Sequence, residues 1–262
     1  MVDVAAALAH LEAHGWARLG VVAPAAVVEA LRARADAIMA GGAPRGTLFF
    51  QHDAPTGAYE DLAFGAGWIG PSPAYRKIEG LERDDVFRAW IAGDVARTIA
   101  SAAIAGPVAV ARAVLWTKAA ARSRDGGVTA GGTELPWHQD GGRFWGLTAQ
   151  PTLQVWTALD DAPGESGCVE VLPGTHRGGL ATPEGGTVPA AMVEARLAHG
   201  GEVLALPAIA GEVLLLHNLV WHRSRRNATT SPRRALSVCY MSASITCTRT
   251  RRAPRQFMRP WD

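Results

Sequence analysis

The stretch Pro136-Trp137-His138-Gln139-Asp140, read together with His222-Arg223-Ser224-Arg225-Arg226-Asn227 and with Arg233 beyond it, decides how this chain is interpreted. A His-x-Asp pair sets an imidazole and a carboxylate two residues apart, and on an extended segment that spacing turns both side chains to one face. A second imidazole from a distant strand, His222, completes two histidines and one carboxylate. Non-heme Fe(II) uses this facial set when it must keep positions open for a substrate and O2. His-x-Asp recurs by chance, so the downstream segment gives it meaning. His222 is followed two residues later by a hydroxyl, Ser224, and eleven residues later by a guanidinium, Arg233, which suits a carboxylate. The pattern implies Fe(II) working with an organic diacid.

Other blocks join these: Gly141-Gly142 directly after the first motif, Leu159-Asp160-Asp161-Ala162, the run from Gly167-Cys168-Val169-Glu170 through Pro173-Gly174-Thr175-His176-Arg177, and Gly211-Glu212-Val213. In order and spacing, from about Gly15 to Met241, the chain resembles the phytanoyl-CoA dioxygenase family of Fe(II)/2-oxoglutarate oxygenases. The resemblance implies a mainly β protein with flanking helices around a double-stranded β-helix, the jelly-roll or cupin-like core. It implies Fe(II) as cofactor, 2-oxoglutarate and O2 as cosubstrates, and ascorbate as reductant in vitro. It leaves the substrate open, because this fold hosts many chemistries.

Carried over residue by residue, the metal ligands are His138, Asp140 and His222. His217 competes with His222, and the family's spacing decides between them. From His222, Ser, Asn and Arg fall at Ser224, Asn227 and Arg233; from His217 the same offsets meet Leu219, His222 and Ala228. Arg233 is then the bidentate partner of the distal 2-oxoglutarate carboxylate, with Ser224 adding a hydroxyl. Arg234 turns to the opposite face of the strand. Trp156 flanks the cosubstrate or serves as a core aromatic, two readings that are compatible, and Gln154 shares its strand face. Lys77 falls where the family places a lysine near 2-oxoglutarate. Halogenating relatives carry a small residue at the position of Asp140, so retention of the carboxylate favours hydroxylation or desaturation. His176 lies in a turn and reads as structural; His10, His14, His52 and His199 read as surface.

At 262 residues the chain is long enough for a large core, and one domain over 1–262 is expected: a helical flank to about 105, a β-helix core over about 106–245, and a basic tail. Hydrophobic residues at 48% and charged residues at 19% describe an ordinary globule. No apolar run approaches the ~18 residues of a membrane span. The N-terminus lacks a basic leader and is interrupted by Asp3 and Glu12. Cys168, Cys239 and Cys247 form no paired framework, which fits reduced thiols and a cytoplasmic location. A net charge of +2 argues against nucleic acid as a partner. Among many arginines only two lysines occur, Lys77 and Lys118; Lys118 reads equally as a solvated strand end or as part of the pocket mouth.

Helical periodicity covers Ala5–His14, Pro24–Ala40 and Asp84–Ala103. Strands are expected at Trp16–Val22, Val108–Trp116, Thr152–Leu159, Val169–Leu172, Glu212–Leu216 and Ala235–Met241. Gly41–Pro73 and Ala119–Thr133 read as irregular loops. The arginine run Arg249, Arg251, Arg252, Arg255 and Arg259 is a solvated tail by the usual rule. Interleaved with Phe257 and Trp261, it also suits folding over the active-site mouth to meet an anionic or hydroxyl-rich substrate. A polar small molecule, such as a natural-product intermediate, is the expected substrate, oxidised by hydroxylation or by ring closure on a sugar. A cupin-type metalloprotein independent of 2-oxoglutarate would not need Arg233 and Ser224, and a non-catalytic module would be expected to have lost a ligand.

Overall fold

The computed structural model describes residues 3–42, 46–63, 67–124, 127–250 and 255–262. Among them, two antiparallel sheets carry the fold. The larger has seven strands in the order β1 (Trp16–Val21), β12 (Glu212–Leu216), β8 (Leu153–Ala158), β14 (Arg233–Ser242), β4 (Val108–Lys118), β3 (Tyr75–Glu79) and β2 (Phe49–His52). The smaller has five: β10 (Gly186–Thr187), β7 (Leu135–Gln139), β13 (Trp221–Ser224), β9 (Val169–Leu172) and β11 (Leu204–Leu206). A hairpin, β5 (Arg122–Arg124) and β6 (Gly127–Thr129), stands apart. This is the expected double-stranded β-helix.

Strand periodicity sorts side chains between the two faces of the large sheet. On β14, Leu236, Val238 and Tyr240 join the core beneath the helices, whereas Ala235 packs between the sheets. Both faces are therefore buried, and β14 reads as an apolar run without alternation. Helices α1 (Val4–His14), α2 (Ala25–Met39), α3 (Asp85–Ile91) and α4 (Asp94–Ala103) cover the outer face and supply Leu11, Leu31, Phe87 and Ile99 to its core. At about 1.5–3 kcal/mol for each buried large side chain, this layer is a principal source of stability. Trp90 Nε1 donates to Thr157 Oγ1 at 3.1 Å and Tyr240 Oη donates to the Ile91 carbonyl at 2.7 Å, which fixes α3 to the sheet. A fifth helix, α5 (Ala190–Ala198), follows β10.

Several elements differ from the sequence expectation. The helical run from Asp84 is two helices, broken at Gly93. Asp84 caps the first by accepting from the amides of Val86 and Phe87. The segment expected to be a loop over 41–73 contains β2, and 119–133 contains the β5–β6 hairpin. The N-terminal flank is not purely helical, because β1, β2 and β3 belong to the large sheet. Among the described residues no helix is long and apolar enough to cross a membrane.

Candidate metal and cosubstrate site

Strands β7 and β13 pair with His138 directly opposite His222, so the two imidazoles emerge on one face with ring centroids 4.0 Å apart. Asp140 lies just past the end of β7. One ligand atom from each of the three residues falls within 4.8 Å of the others, and the Asp140 Oδ2 to His222 Nε2 distance is 3.6 Å. His138 Nδ1 lies 2.9 Å from the Pro136 carbonyl, and His222 Nδ1 lies 2.9 Å from the Val220 carbonyl. Each ring therefore donates through Nδ1 and keeps the Nε2 lone pair free. Burial, and then the neighbouring His222, push the His138 pKa down to about 3, so that imidazole is neutral at pH 7. Two imidazoles and one carboxylate, the rings oriented by carbonyls behind them, fit a divalent transition metal.

Asp140 is held from several sides. Arg112 Nη2 donates to Oδ1 at 2.9 Å, and Gln154 Nε2 donates to Oδ2. Ser237 Oγ in turn donates to Gln154 Oε1 at 2.6 Å, locking the amide. Asn218 clamps the backbone: its Nδ2 donates to the Asp140 carbonyl at 3.0 Å, and its own carbonyl accepts from Asp140 N at 2.8 Å. Burial raises the Asp140 carboxyl, but the Arg112 guanidinium and the His222 contact outweigh it and hold the group far below the ordinary carboxylate range. The carboxylate is thus charged, aimed and ready to ligate. Arg112→Ala should weaken metal retention by about 10–100-fold, the usual cost of losing a group that orients a ligand. Equilibrium dialysis against Fe(II) measures it, and unchanged retention would remove Arg112 from this role.

The ligands open into a chamber of about 50 Å³ between the two sheets. Its far wall carries Arg233, Ser224, Lys118, Arg76 and Trp156. Arg233 is 3% exposed, bonds the Gly167 carbonyl through Nη2 at 2.7 Å, and keeps a buried Nε with no protein acceptor. Gly167 has φ +75°, and a Cβ there would come within 2.2 Å of the Arg225 carbonyl, so only glycine permits this close turn. Burial lowers the Arg233 pKa to about 10. Burial, followed by the charges of Arg233 and Arg76, also drives Lys118 well below the usual lysine value. Cations packed together with an orphaned donor are costly without a counter-ion. A small dianion such as a dicarboxylate fits this wall.

The structure brings His138, Asp140, His222, Arg233, Ser224, Trp156 and Gln154 around one chamber. Gln154 acts there through Asp140. Lys77 is the correction: it forms an ion pair with Glu79 at 2.6 Å and lines a different cavity. The reason is a β-bulge. Gln51 pairs with Lys77 and His52 with Tyr75, leaving Arg76 as the extra residue, and a bulge re-aims a side chain. Arg76, bonded to Gln51 at 2.6 Å and lying over the Trp116 ring, therefore lines the chamber in its place. Lys118, too, is buried within the chamber rather than solvated, and its Nζ donates to the Thr133 carbonyl at 2.7 Å. His217 lies outside the ligand group, with its Nδ1 accepting from Leu219 N and its ring against His176. His52 is half-buried, edge-on to Tyr75, and not a surface residue. Reading the sequence missed Arg112 and Asn218. The signal for Arg112 was available: one arginine in the middle of an apolar strand.

The family model for phytanoyl-CoA dioxygenase (PhyH) matches residues 11–235. The chain belongs to the phytanoyl-CoA dioxygenase family. A PhyH relative, phytanoyl-CoA dioxygenase domain-containing protein 1 of Bos taurus, is 29% identical over 121 residues, which make up 44% of this chain and 42% of that protein. The match thus spans less than half the length of that curated relative. Among solved structures, the epimerase SnoN in complex with Fe3+, alpha ketoglutarate and nogalamycin RO superposes with a TM-score of 0.72 at 17% identity, covering 95% of this chain and 88% of that one. EctD from S. alaskensis with 2-oxoglutarate and 5-hydroxyectoine gives a TM-score of 0.70 at 21% identity, covering 95% and 80%. At these identities the likeness concerns the fold.

Proposed function

We propose that this PhyH-family chain is an Fe(II)- and 2-oxoglutarate-dependent dioxygenase that oxidises an unactivated C–H bond of a polar small molecule. His138, Asp140 and His222 would hold the iron. Arg233, with Ser224, would hold the distal carboxylate of 2-oxoglutarate, and Lys118 and Arg76 would add positive charge to the same wall. The observation that carries this reading is that metal-ready imidazoles and a buried guanidinium whose Nε has no protein acceptor face one chamber. A metal site alone would need no such wall.

When bound, iron supplies with 2-oxoglutarate and O2 the oxidising power that removes hydrogen from an unactivated carbon. In the balanced hydroxylation, substrate, 2-oxoglutarate and O2 become alcohol, succinate and CO2. The protein's share is orientation and water exclusion. The Arg112–Asp140–Gln154–Ser237 chain fixes the carboxylate, the two backbone carbonyls fix the imidazoles, and Trp156 and Val169 line the chamber with apolar surface.

Solved structures of this fold include SnoN, described as an alpha ketoglutarate-dependent epimerase from nogalamycin biosynthesis. That supports a natural-product intermediate as substrate and antibiotic biosynthesis as the setting. Hydroxylation is the primary reaction, and oxidative ring closure on a sugar-containing compound is the alternative. The whole of 1–262 acts as one catalytic domain, and the three free thiols suit a cytoplasmic location. Incubating a panel of polar natural-product intermediates with Fe(II), ascorbate and 2-oxoglutarate should give succinate above the uncoupled background. A product one oxygen heavier marks hydroxylation, and one lacking two hydrogens marks ring closure or desaturation. Turnover of long-chain acyl-CoA with none for polar compounds would overturn the substrate class.

A further inference from the structure

The chamber of about 50 Å³ is small beside sites for organic substrates, which run to roughly 300–1,000 Å³. A second cavity, about 540 Å³, lies on the other side of the Arg112–Asp140 pair. Arg112 lines the larger space and Asp140 the smaller, so the two spaces meet at their 2.9 Å bond. We propose, building on the dioxygenase reading, that this larger cavity holds the molecule to be oxidised, and that Arg249 and Arg255 of the C-terminal segment grip an anionic group on it, a carboxylate or a phosphate ester.

The described residues on either side of 251–254 are anchored to the rest of the protein. At the start of the C-terminal segment, Thr148 N donates to the Thr246 carbonyl at 3.0 Å and Thr248 N donates to the Gly146 carbonyl at 2.9 Å, which ties it to the loop after the metal motif. At its end, Val110 N donates to the Met258 carbonyl at 2.9 Å, and Trp261 stacks on Tyr240 while its Nε1 donates to the Ala92 carbonyl. Between these anchors, Arg249 crosses directly over Gly146. A Cβ at Gly146 would come within 2.6 Å of the arginine side chain, and its φ of +63° also favours glycine. Of the five arginines in the run, Arg251 and Arg252 lie outside the described residues, and Arg259 pairs with Asp262 away from this cavity.

Charge selects the ligand class. The cavity is lined by Lys77, Arg83, Arg112, Arg249 and Arg255 against two acids, Glu79 and Glu82. Glu79 is taken by Lys77 at 2.6 Å, Arg112 by Asp140, and Glu82 lies 4.0 Å from Arg83. Arg249 and Arg255 bond the backbone carbonyls of Phe144 and Trp145, and among the described residues neither has a carboxylate partner. Arg255 Nε and Trp145 Nε1 are buried donors with no protein acceptor. The neighbouring Cys247 thiol is drawn down, first by the backbone amides of Arg255 and Arg249 and also by the Arg255 guanidinium, so the same groups already favour negative charge. Phe49, Phe144 and Phe257 supply apolar surface for the ring or chain that bears the anion.

The test uses anaerobic protein loaded with Fe(II) and 2-oxoglutarate, titrated calorimetrically with benzoate and phenyl phosphate and with their neutral partners, benzamide and phenol. Wild type should bind at least one anion about tenfold tighter than its neutral partner, and the stronger of the two identifies carboxylate or phosphate. R249A/R255A should lose that preference, R249K/R255K should retain most of it, and R259A should match wild type. Equal binding of anion and neutral partner, or an unchanged preference in R249A/R255A, would overturn the proposal. If R249A/R255A does not fold, the wild-type comparison and the lysine pair decide. The iron–2-oxoglutarate absorption band, read in the same samples, reports separately on the dioxygenase reading.

Discussion

His222→Ala should abolish turnover and leave the protein unable to retain stoichiometric iron; His138→Ala and Asp140→Asn should do the same, whereas His217→Ala should keep its metal. Disturbing a group behind a ligand costs about 10–100-fold in metal affinity, so removing a ligand must cost more. His222 and His217 lie five residues apart, His217 just past the end of β12 and His222 on β13, and of the two it is His222 that presents a free Nε2 to Asp140. The His217 Nδ1 is already committed to the Leu219 amide. Asparagine is the informative change at Asp140. Its amide oxygen can still accept from Arg112, whereas alanine would leave that buried guanidinium with neither counter-charge nor acceptor, a fault worth about 3–5 kcal/mol in its own right. Iron content after desalting, measured beside a thermal melt, separates lost ligation from lost folding. Full retention of iron in His222→Ala would refute the assignment.

The second large effect belongs to Arg233. Arg233→Lys keeps the charge but loses the planar fork, and the 2-oxoglutarate KM should rise tenfold or more if about 1.4 kcal/mol of bidentate binding goes. Arg234→Lys is the matched control, because its side chain points to the other face of β14. There it bonds Asp160 at 2.7 and 3.0 Å and Asp36 at 2.6 Å, beneath the helical layer. Losing that fork should lower Tm, by about 2–4 °C for each kcal/mol lost, with the 2-oxoglutarate KM unchanged. Steady-state kinetics and melting curves on the two variants should therefore show opposite signatures. If both variants raise KM alike, the strand register is wrong.

What the sequence made legible follows from local rules. The residues proposed as ligands could be picked out because His-x-Asp at the end of an extended segment turns both side chains to one face, and the spacing from His222 to Arg233 spans one turn and returns on the neighbouring sheet. The large-sheet strands were readable as apolar runs because both their faces are buried. The small-sheet strands β7 and β13 were harder, since their inward positions carry the ligands and Ser224, and Pro136 interrupts β7. Lys77 failed as a cosubstrate residue because a single bulged residue, Arg76, takes the inward position, and no local pattern announces a bulge. Arg112 reaches Asp140 across 28 positions of sequence, a contact made only when β4 and β7 face each other. The arginine-rich tail read from sequence either as a solvated run or as a segment folded over the active-site mouth. The position of Arg249 depends on Gly146, more than a hundred residues earlier, leaving room for its side chain.

The most direct test of the central claim is an anaerobic titration of the wild-type protein with Fe(II) in the presence of 2-oxoglutarate, followed in the visible region. A weak metal-to-ligand charge-transfer band is expected that saturates at one iron per chain, is absent without 2-oxoglutarate, and disappears in His222→Ala. Iron binding at the same stoichiometry with no band in the presence of 2-oxoglutarate would contradict it, leaving a metalloprotein that does not use this cosubstrate.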